Sequence, residues 1–137
     1  MKNSSKLLVV LSIIFCYVIN PCHGFNNPFA KTVVTITNKI PSGRLEISCR
    51  SKDDDLGKHV LRTGEKIQWT FRPSWFRTTL FTCRIFWNGQ VRRFDAYNAD
   101  RDQDQCNGCS WTIMPNRFCL SGTFDGNFYF NKCYRWK

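Results

Sequence analysis

The chain has 137 residues, a net charge of +10 from 20 Lys and Arg against 10 Asp and Glu, 15% aromatic residues and eight cysteines. That length is enough for one domain and excludes a second. The cationic balance favours acidic partners, whether a wall polysaccharide, an anionic membrane, nucleic acid or an acidic receptor face, without choosing among them.

Lys2 and Lys6 open a basic start, residues 7–19 form a 13-residue apolar run, and Cys22-His23-Gly24 offers a cleavage site before Phe25. That is the anatomy of a secretory signal peptide. Thirteen residues are too few to cross about 30 Å of hydrocarbon. Residues 1–24 are therefore expected to be removed, leaving a single domain over 25–137 that is exported and does not span a membrane. Losing Lys2 and Lys6 takes the charge from +10 to +8 (10 − 2). Export also removes nucleic acid from the expected partners. Six cysteines remain after the leader: Cys49, Cys83, Cys106, Cys109, Cys119 and Cys133. An even number in an oxidising compartment predicts three disulfides. Each contributes about 2–4 kcal/mol, against a total stability of about 5–15 kcal/mol.

After the leader no stretch holds a 3.6-residue apolar period for three turns, so no helix is expected. Short runs rich in β-branched and aromatic residues alternate instead with turn residues. Residues 32–37 read as the first strand, and Pro41-Ser42-Gly43 turns the chain into a second, with Leu45, Ile47 and Cys49 on one face. An acidic turn leads to 59–61, Thr63-Gly64 turns again, and Ile67, Trp69 and Phe71 share a face of the next strand. Residues 79–87 and 90–97 flank Asn88-Gly89, the preferred pair for a type I′ hairpin; Phe81, Cys83, Ile85 and Trp87 fall together. A polar loop over 98–105 precedes 110–114. Residues 118–123 and 127–130 then form a second hairpin across Phe124-Asp125-Gly126, and 133–136 close the chain. The pattern predicts an all-β fold, a small disulfide-stabilised β-sandwich of about seven or eight antiparallel strands.

Several motifs imitate chemistry. Cys106-x-x-Cys109 lacks the βαβ setting of a redox motif and the two further ligands of a zinc site; as structural cysteines in one loop, the two are expected to bond to different partners. Asp100-x-Asp102-x-Asp104 starts like a calcium loop, but Gln105 and Trp111 stand where glycine and glutamate are required. Asp53-Asp54-Asp55, beside Lys52 and Lys58, reads as a solvated, ion-paired turn. No metal and no cofactor are therefore expected. His59 is the only histidine beyond the leader, and there is no G-x-S-x-G and no evident nucleophile–base set, so the chain is expected not to be an enzyme and no catalytic residue is assigned. Trp69, Trp75, Trp87, Trp111 and Trp136 lie among Arg72, Arg77, Arg84, Arg92 and Arg135, as stacking platforms flanked by cations would. Trp69, Trp87 and Trp111 fall on inward strand faces and read as core; Trp75 lies in an irregular loop.

Taken in order, Cys49-Arg50-Ser51-Lys52-Asp53-Asp54-Asp55-Leu56-Gly57, His59, Gly64, Trp69-Thr70-Phe71, Phe81-Thr82-Cys83, Phe94-Asp95-Ala96-Tyr97, Arg101-Asp102 and Cys106-Asn107-Gly108-Cys109-Ser110-Trp111 resemble the plant self-incompatibility S-protein homologue family. Its members carry a C-x-S-K-D-D-D-L-G turn, an F-x-C strand and a C-x-x-C-x-W block in this order, and the resemblance runs from about Val33 to Trp136. It implies a secreted signalling ligand that engages a plasma-membrane receptor; in poppies, members of the family are the pistil determinants that stop self pollen. The family's usual four cysteines match Cys49, Cys83, Cys106 and Cys109. Cys119 and Cys133 look like an added pair, most simply bonded to each other. After the leader there is no N-glycosylation sequon. The competing function is that of a cationic secreted effector binding acidic cell-wall polysaccharide or membrane, as in defence. For a receptor ligand, recognition is expected in the exposed loops over 50–58, 73–78 and 98–105, with Asp53, Asp54, Asp55, Lys58, Trp75, Arg77, Asp100, Arg101, Asp102 and Asp104 as contact residues.

Overall fold

Strict alternation over Thr32–Asn38 makes β1, with Thr32, Val34, Ile36 and Asn38 all buried. The same period of two places Leu45, Ile47 and Cys49 inward on β2 (Leu45–Arg50), and Phe81, Cys83 and Ile85 inward on β5 (Leu80–Trp87). The computed structural model describes residues 31–136, and the expected leader and its boundary before Phe25 lie outside them. The remaining elements are β3 (Asp55–Leu61), β4 (Lys66–Phe71), β6 (Gln90–Asn98), the four-residue helix α1 (Ala99–Asp102), β7 (Gly108–Ile113), β8 (Arg117–Phe124) and β9 (Asn127–Arg135).

The strands form a five-stranded sheet in the order β4-β1-β7-β8-β9 and a four-stranded sheet in the order β3-β2-β5-β6. One shared core joins them: Val34, Ile36, Trp111, Ile113 and Leu120 from the first meet Leu45, Ile47, Phe81, Ile85 and Phe94 from the second. Each fully buried aliphatic side chain of this kind contributes about 1.5–3 kcal/mol. Trp111 is the pivot. Its indole lies edge-on to Phe94, ring centres 5.1 Å apart, and its Nε1–H donates to the Ala96 carbonyl at 2.7 Å, tying the five-stranded sheet to the four-stranded one.

The all-β, disulfide-stabilised expectation is met, with differences that have physical reasons. Nine strands are described where seven or eight were expected. All neighbours are antiparallel except β1 and β7, which run parallel: β1 is an interior strand between β4 and β7, and the chain reaches β7 only after passing through β5 and β6 of the other sheet. Residues 98–105, expected as loop, contain α1: the Asn98 side chain caps it by accepting from the Asp100 amide at 3.1 Å.

Two disulfides join residues directly opposite on neighbouring strands, Cys49–Cys83 in the core between β2 and β5 and Cys119–Cys133 between β8 and β9. The third corrects an expectation: Cys106 and Cys109 bond to each other, not to different partners. Cys49 and Cys83 already face each other with Cα atoms 4.1 Å apart. Cys106 and Cys109 bracket the tight entry into β7, where the chain curls enough to bring their Cα atoms to 5.5 Å, inside the usual bridging range.

Candidate functional site

The strand registers decide which loops can cooperate. Arg50 at the end of β2 lies opposite both Asp55 and Thr82, and Leu80 at the start of β5 lies opposite Asn98 at the end of β6. In the other sheet Thr32 lies opposite Phe71, and Val33 opposite Gly108. The connections 51–54, 72–79 and 99–107 therefore emerge at one end of the sandwich, together with the β8–β9 turn at Asp125-Gly126. Of the segments singled out in the sequence, 73–78 and 98–105 lie at this loop end, whereas 50–58 is a connection only over 51–54, because Asp55 and Lys58 already belong to β3.

Its foundation is a buried ion pair. Asp102 has no exposed surface. Its carboxylate accepts from Arg101 Nε and Nη2, each at 2.7 Å, and from the Asn98 amide at 2.9 Å. Arg101 Nη2 also donates to the Asp95 carbonyl at 2.8 Å, and the guanidinium lies over Trp111, 5.3 Å from the ring centre. Burial works against the Arg101 charge, but the hydrogen bonds and charge of Asp102 outweigh it and raise its pKa above the ordinary arginine value. Nearby, burial and then the Asp102 charge push the Tyr97 hydroxyl up to about 12. Asp102 was expected as an exposed contact residue and Arg101 with it. Asp102 is instead wholly internal and Arg101 half-buried, so this pair positions the loop.

The other expected residues lie at the surface. Trp75 is 62% exposed and its neighbour Phe76 82%. Arg77 adopts a left-handed backbone, φ 59°, and reaches across to Asp104 at 2.8 Å, so residues 72–79 and 99–107 are stapled together. Asp100 is exposed. Asp53, Asp54 and Asp55 are exposed too, but their turn is not ion-paired as expected. It closes through Ser51, whose amide donates to the Asp54 carbonyl at 2.8 Å and whose hydroxyl accepts from the Asp54 amide at 3.1 Å. Lys58 pairs with Glu46 across the strands at 3.1 Å instead, because the two face each other diagonally on the outer side of the sheet. Asn107 and Asp125 exchange two hydrogen bonds of 2.8 and 3.0 Å, locking the β8–β9 turn into the same end.

The carboxylates of Asp100, Asp102 and Asp104 do not converge: Asp102 serves Arg101 and Asp104 serves Arg77. Among the described residues no cluster of His, Cys, Asp or Glu could hold a metal ion. His59 sits on the exposed edge strand β3, its Nε2 hydrogen-bonded to the Leu56 carbonyl at 2.8 Å and not to an acid or a hydroxyl nucleophile. Among the described residues no helix is long and apolar enough to cross a membrane.

Sequence reading missed a second surface, an open cleft of about 460 Å³ between β6 and β9 in which Arg92, Arg93, Arg135 and Trp136 come together. The interleaving of arginines with tryptophans was its only trace.

The family described as plant self-incompatibility protein S1 matches residues 33–136. S-protein homolog 29 of Arabidopsis thaliana is 61% identical over 137 residues, covering 99% of each chain. S-protein homolog 5 of the same plant is 37% identical over 93% of this chain and 96% of its own. Self-incompatibility protein S1 of Papaver rhoeas is 34% identical over 83% of this chain and 80% of its own.

Proposed function

Since the chain belongs to the plant self-incompatibility protein S1 family, we propose that it is an exported signalling ligand, cleaved before Phe25, that engages a plasma-membrane receptor through its loop end and performs no catalysis. The observation that carries this reading is the convergence of 51–54, 72–79 and 99–107 at one end, with Trp75 and Phe76 exposed on a frame fixed by Arg101–Asp102 and Arg77–Asp104. Large aromatics held on an ordered base are what the centre of a protein interface requires, because little conformational entropy remains to be lost on binding. The mixed charges around them, Lys52, Arg77, Asp53, Asp54 and Asp100, set which receptor is accepted, while the net positive charge speeds encounter. Self-incompatibility is the role in the poppy relative's name, and it is one setting in which the ligand would act.

The test is binding of labelled protein to intact plant protoplasts. Binding should saturate, persist when salt is raised, and fall about tenfold or more in Trp75→Ala/Phe76→Ala. Unsaturable binding that collapses with salt, or an unchanged double variant, refutes the receptor reading.

A second reading, attachment to acidic wall polymer, has its own support. On the outer face of the four-stranded sheet Lys58, Ser48, Arg84 and Arg93 stand opposite one another across β3, β2, β5 and β6. Arg84 and Arg93 are directly paired like charges, which destabilises a sheet. Lys58 already pairs with Glu46, and the Arg84–Arg93 pair makes sense when a polyanion neutralises it.

A further inference from the structure

The cleft between β6 and β9 exists because these two strands are the last in their respective sheets. No hydrogen-bonded ladder joins them, and the sandwich is open along that side. Its floor is aromatic. Phe118 lies near-parallel to Trp136 on one side, ring centres 4.2 Å apart, and to Tyr134 on the other, 5.4 Å apart. Cations stand over those rings: the Arg92 guanidinium is 5.2 Å from the Trp136 centre, and Lys132 Nζ is 5.3 Å from that of Tyr134. Arg92 is held in place by its bond to Gln90 Oε1 at 2.7 Å. Arg93 and Arg135 complete the rim.

The charges here are not balanced from within. Arg101, at the inner end, is neutralised by Asp102. Among the described residues Arg92, Arg93 and Arg135 form no ion pair, and the one carboxylate lining the cleft, Asp95, accepts a hydrogen bond from Thr82 Oγ1 at 3.2 Å. Guanidinium groups kept together without an acid repel one another unless an anion is supplied, and their planar forks match carboxylates better than ammonium groups do. A volume of about 460 Å³ is that of a small-ligand site.

We propose that this cleft is a binding site for acidic carbohydrate, seating a uronate unit of a polysaccharide with its carboxylate on the arginines and its ring against the exposed edges of Trp136 and Tyr134, whose faces are taken by Phe118 and by Arg92 and Lys132. The proposal deepens the wall-attachment reading and rests on it. Sugar is favoured because the site combines a recessed aromatic wall with carboxylate-reading forks at one spot. A lipid surface would call for protruding aromatics, and here Phe118, Tyr134 and Trp136 are recessed and half-buried. Arg93 belongs both to the cleft and to the outer row with Arg84 and Lys58, so a chain seated in the cleft continues onto that face. Attachment here leaves the loop end uncovered: the wall would hold the ligand while its receptor surface stays available.

The experiment titrates the mature protein with short oligogalacturonate, with the methyl-esterified form of the same oligomer and with polyphosphate, by calorimetry at physiological salt. Oligogalacturonate should bind at least about tenfold more tightly than either control, since only it offers both a sugar ring and carboxylates. Arg92→Gln/Arg135→Gln should weaken it about tenfold or more, whereas Arg62→Gln/Lys66→Gln, an equal loss of charge beside the opposite edge strands β3 and β4, should change it less than about threefold. As a reading independent of any variant, the Trp136 indole N–H resonance should shift on titration and that of Trp75 should not. Equal weakening in both double variants overturns the cleft while leaving charge-driven wall attachment standing. No binding of oligogalacturonate at all overturns both. Polyphosphate binding as tightly as the uronate overturns the carbohydrate assignment.

Discussion

At one end of the sandwich the chain reverses through tight connections, at Ser42-Gly43, Thr63-Gly64, Asn88-Gly89 and Pro115-Asn116; at the other it travels through residues 72–79 and 99–107 before re-entering a strand. The tight end is stitched by a single buried residue. Asn38 donates from Nδ2 to the Leu61 carbonyl at 2.9 Å and accepts at Oδ1 from the Ile40 amide at 2.9 Å, and its own backbone bonds to Gly64 and Glu65. The loop end is stitched by Asp102 in the same manner, but with charge. A neutral amide suffices where turns are short and locally determined. A paired carboxylate is used where longer segments, with few backbone bonds of their own, must be held to a strand end. The loop end can therefore vary its exposed side chains over a fixed anchor, as a recognition surface must.

The largest break in this comparison should come from the anchor. Asp102→Ala strands the Asn98 amide and leaves Arg101 half-buried without its partner, and is expected to cost about 3–4 kcal/mol, at the lower side of buried pairs because Arg101 keeps some solvent. Chemical denaturation gives the total. Hydrogen exchange locates it: the amides of Gln103 and Cys106, which bond into α1, should lose protection first. Equal loss of protection around Asn38 would show that the two ends are not independent.

The converse is Asn38→Ala. It removes hydrogen bonds from the Leu61 carbonyl and the Ile40 amide inside the core, at an expected cost of about 2–3 kcal/mol. Its binding behaviour should not change, since the receptor surface and the cleft both lie elsewhere. A stable Asn38→Ala protein that loses receptor binding would contradict the division of labour.

How much of this the sequence disclosed follows the same division. The hairpin at Asn88-Gly89 was legible because its signal is local: both residues adopt left-handed backbones, φ 53° and 73°, which asparagine and glycine tolerate best. Asp125-Gly126 repeats it, φ 51° and 82°. Trp111 was rightly read as core by strand alternation. Trp69 and Trp87, given the same reading, are only half-buried, because β4 is an edge strand and Trp87 ends its own. Asp102 was misread since nothing in Asp100-x-Asp102-x-Asp104 says which carboxylate turns inward; that depends on α1 docking against Trp111. The cleft was illegible for a related reason. Arg92 and Trp136 are far apart in sequence, and they meet only because β6 and β9 both end up as outermost strands.

The smallest expected effect uses the same chemistry as the largest. Replacing Asp53, Asp54 and Asp55 together by asparagine removes three carboxylates from the loop end, as Asp102→Ala removes one. Here the turn is held by the hydroxyl and amide of Ser51, and Asp55 Oδ1 accepts only from the Gly57 amide at 2.9 Å, a bond an asparagine oxygen can also accept. Stability should therefore change by no more than about 0.5 kcal/mol, as exposed substitutions away from buried networks do. Calcium should leave the melting temperature of the unsubstituted protein where it is, because a ligand specific to the folded state would raise it. Protoplast binding, in contrast, should fall if these side chains face the receptor. A triple variant as stable and as well bound as its parent would remove 51–55 from the recognition surface and leave Trp75 and Phe76 to carry it. A calcium-dependent rise of several degrees would show that the exposed aspartates gather an ion, making the acidic turn a second anchor and not a contact.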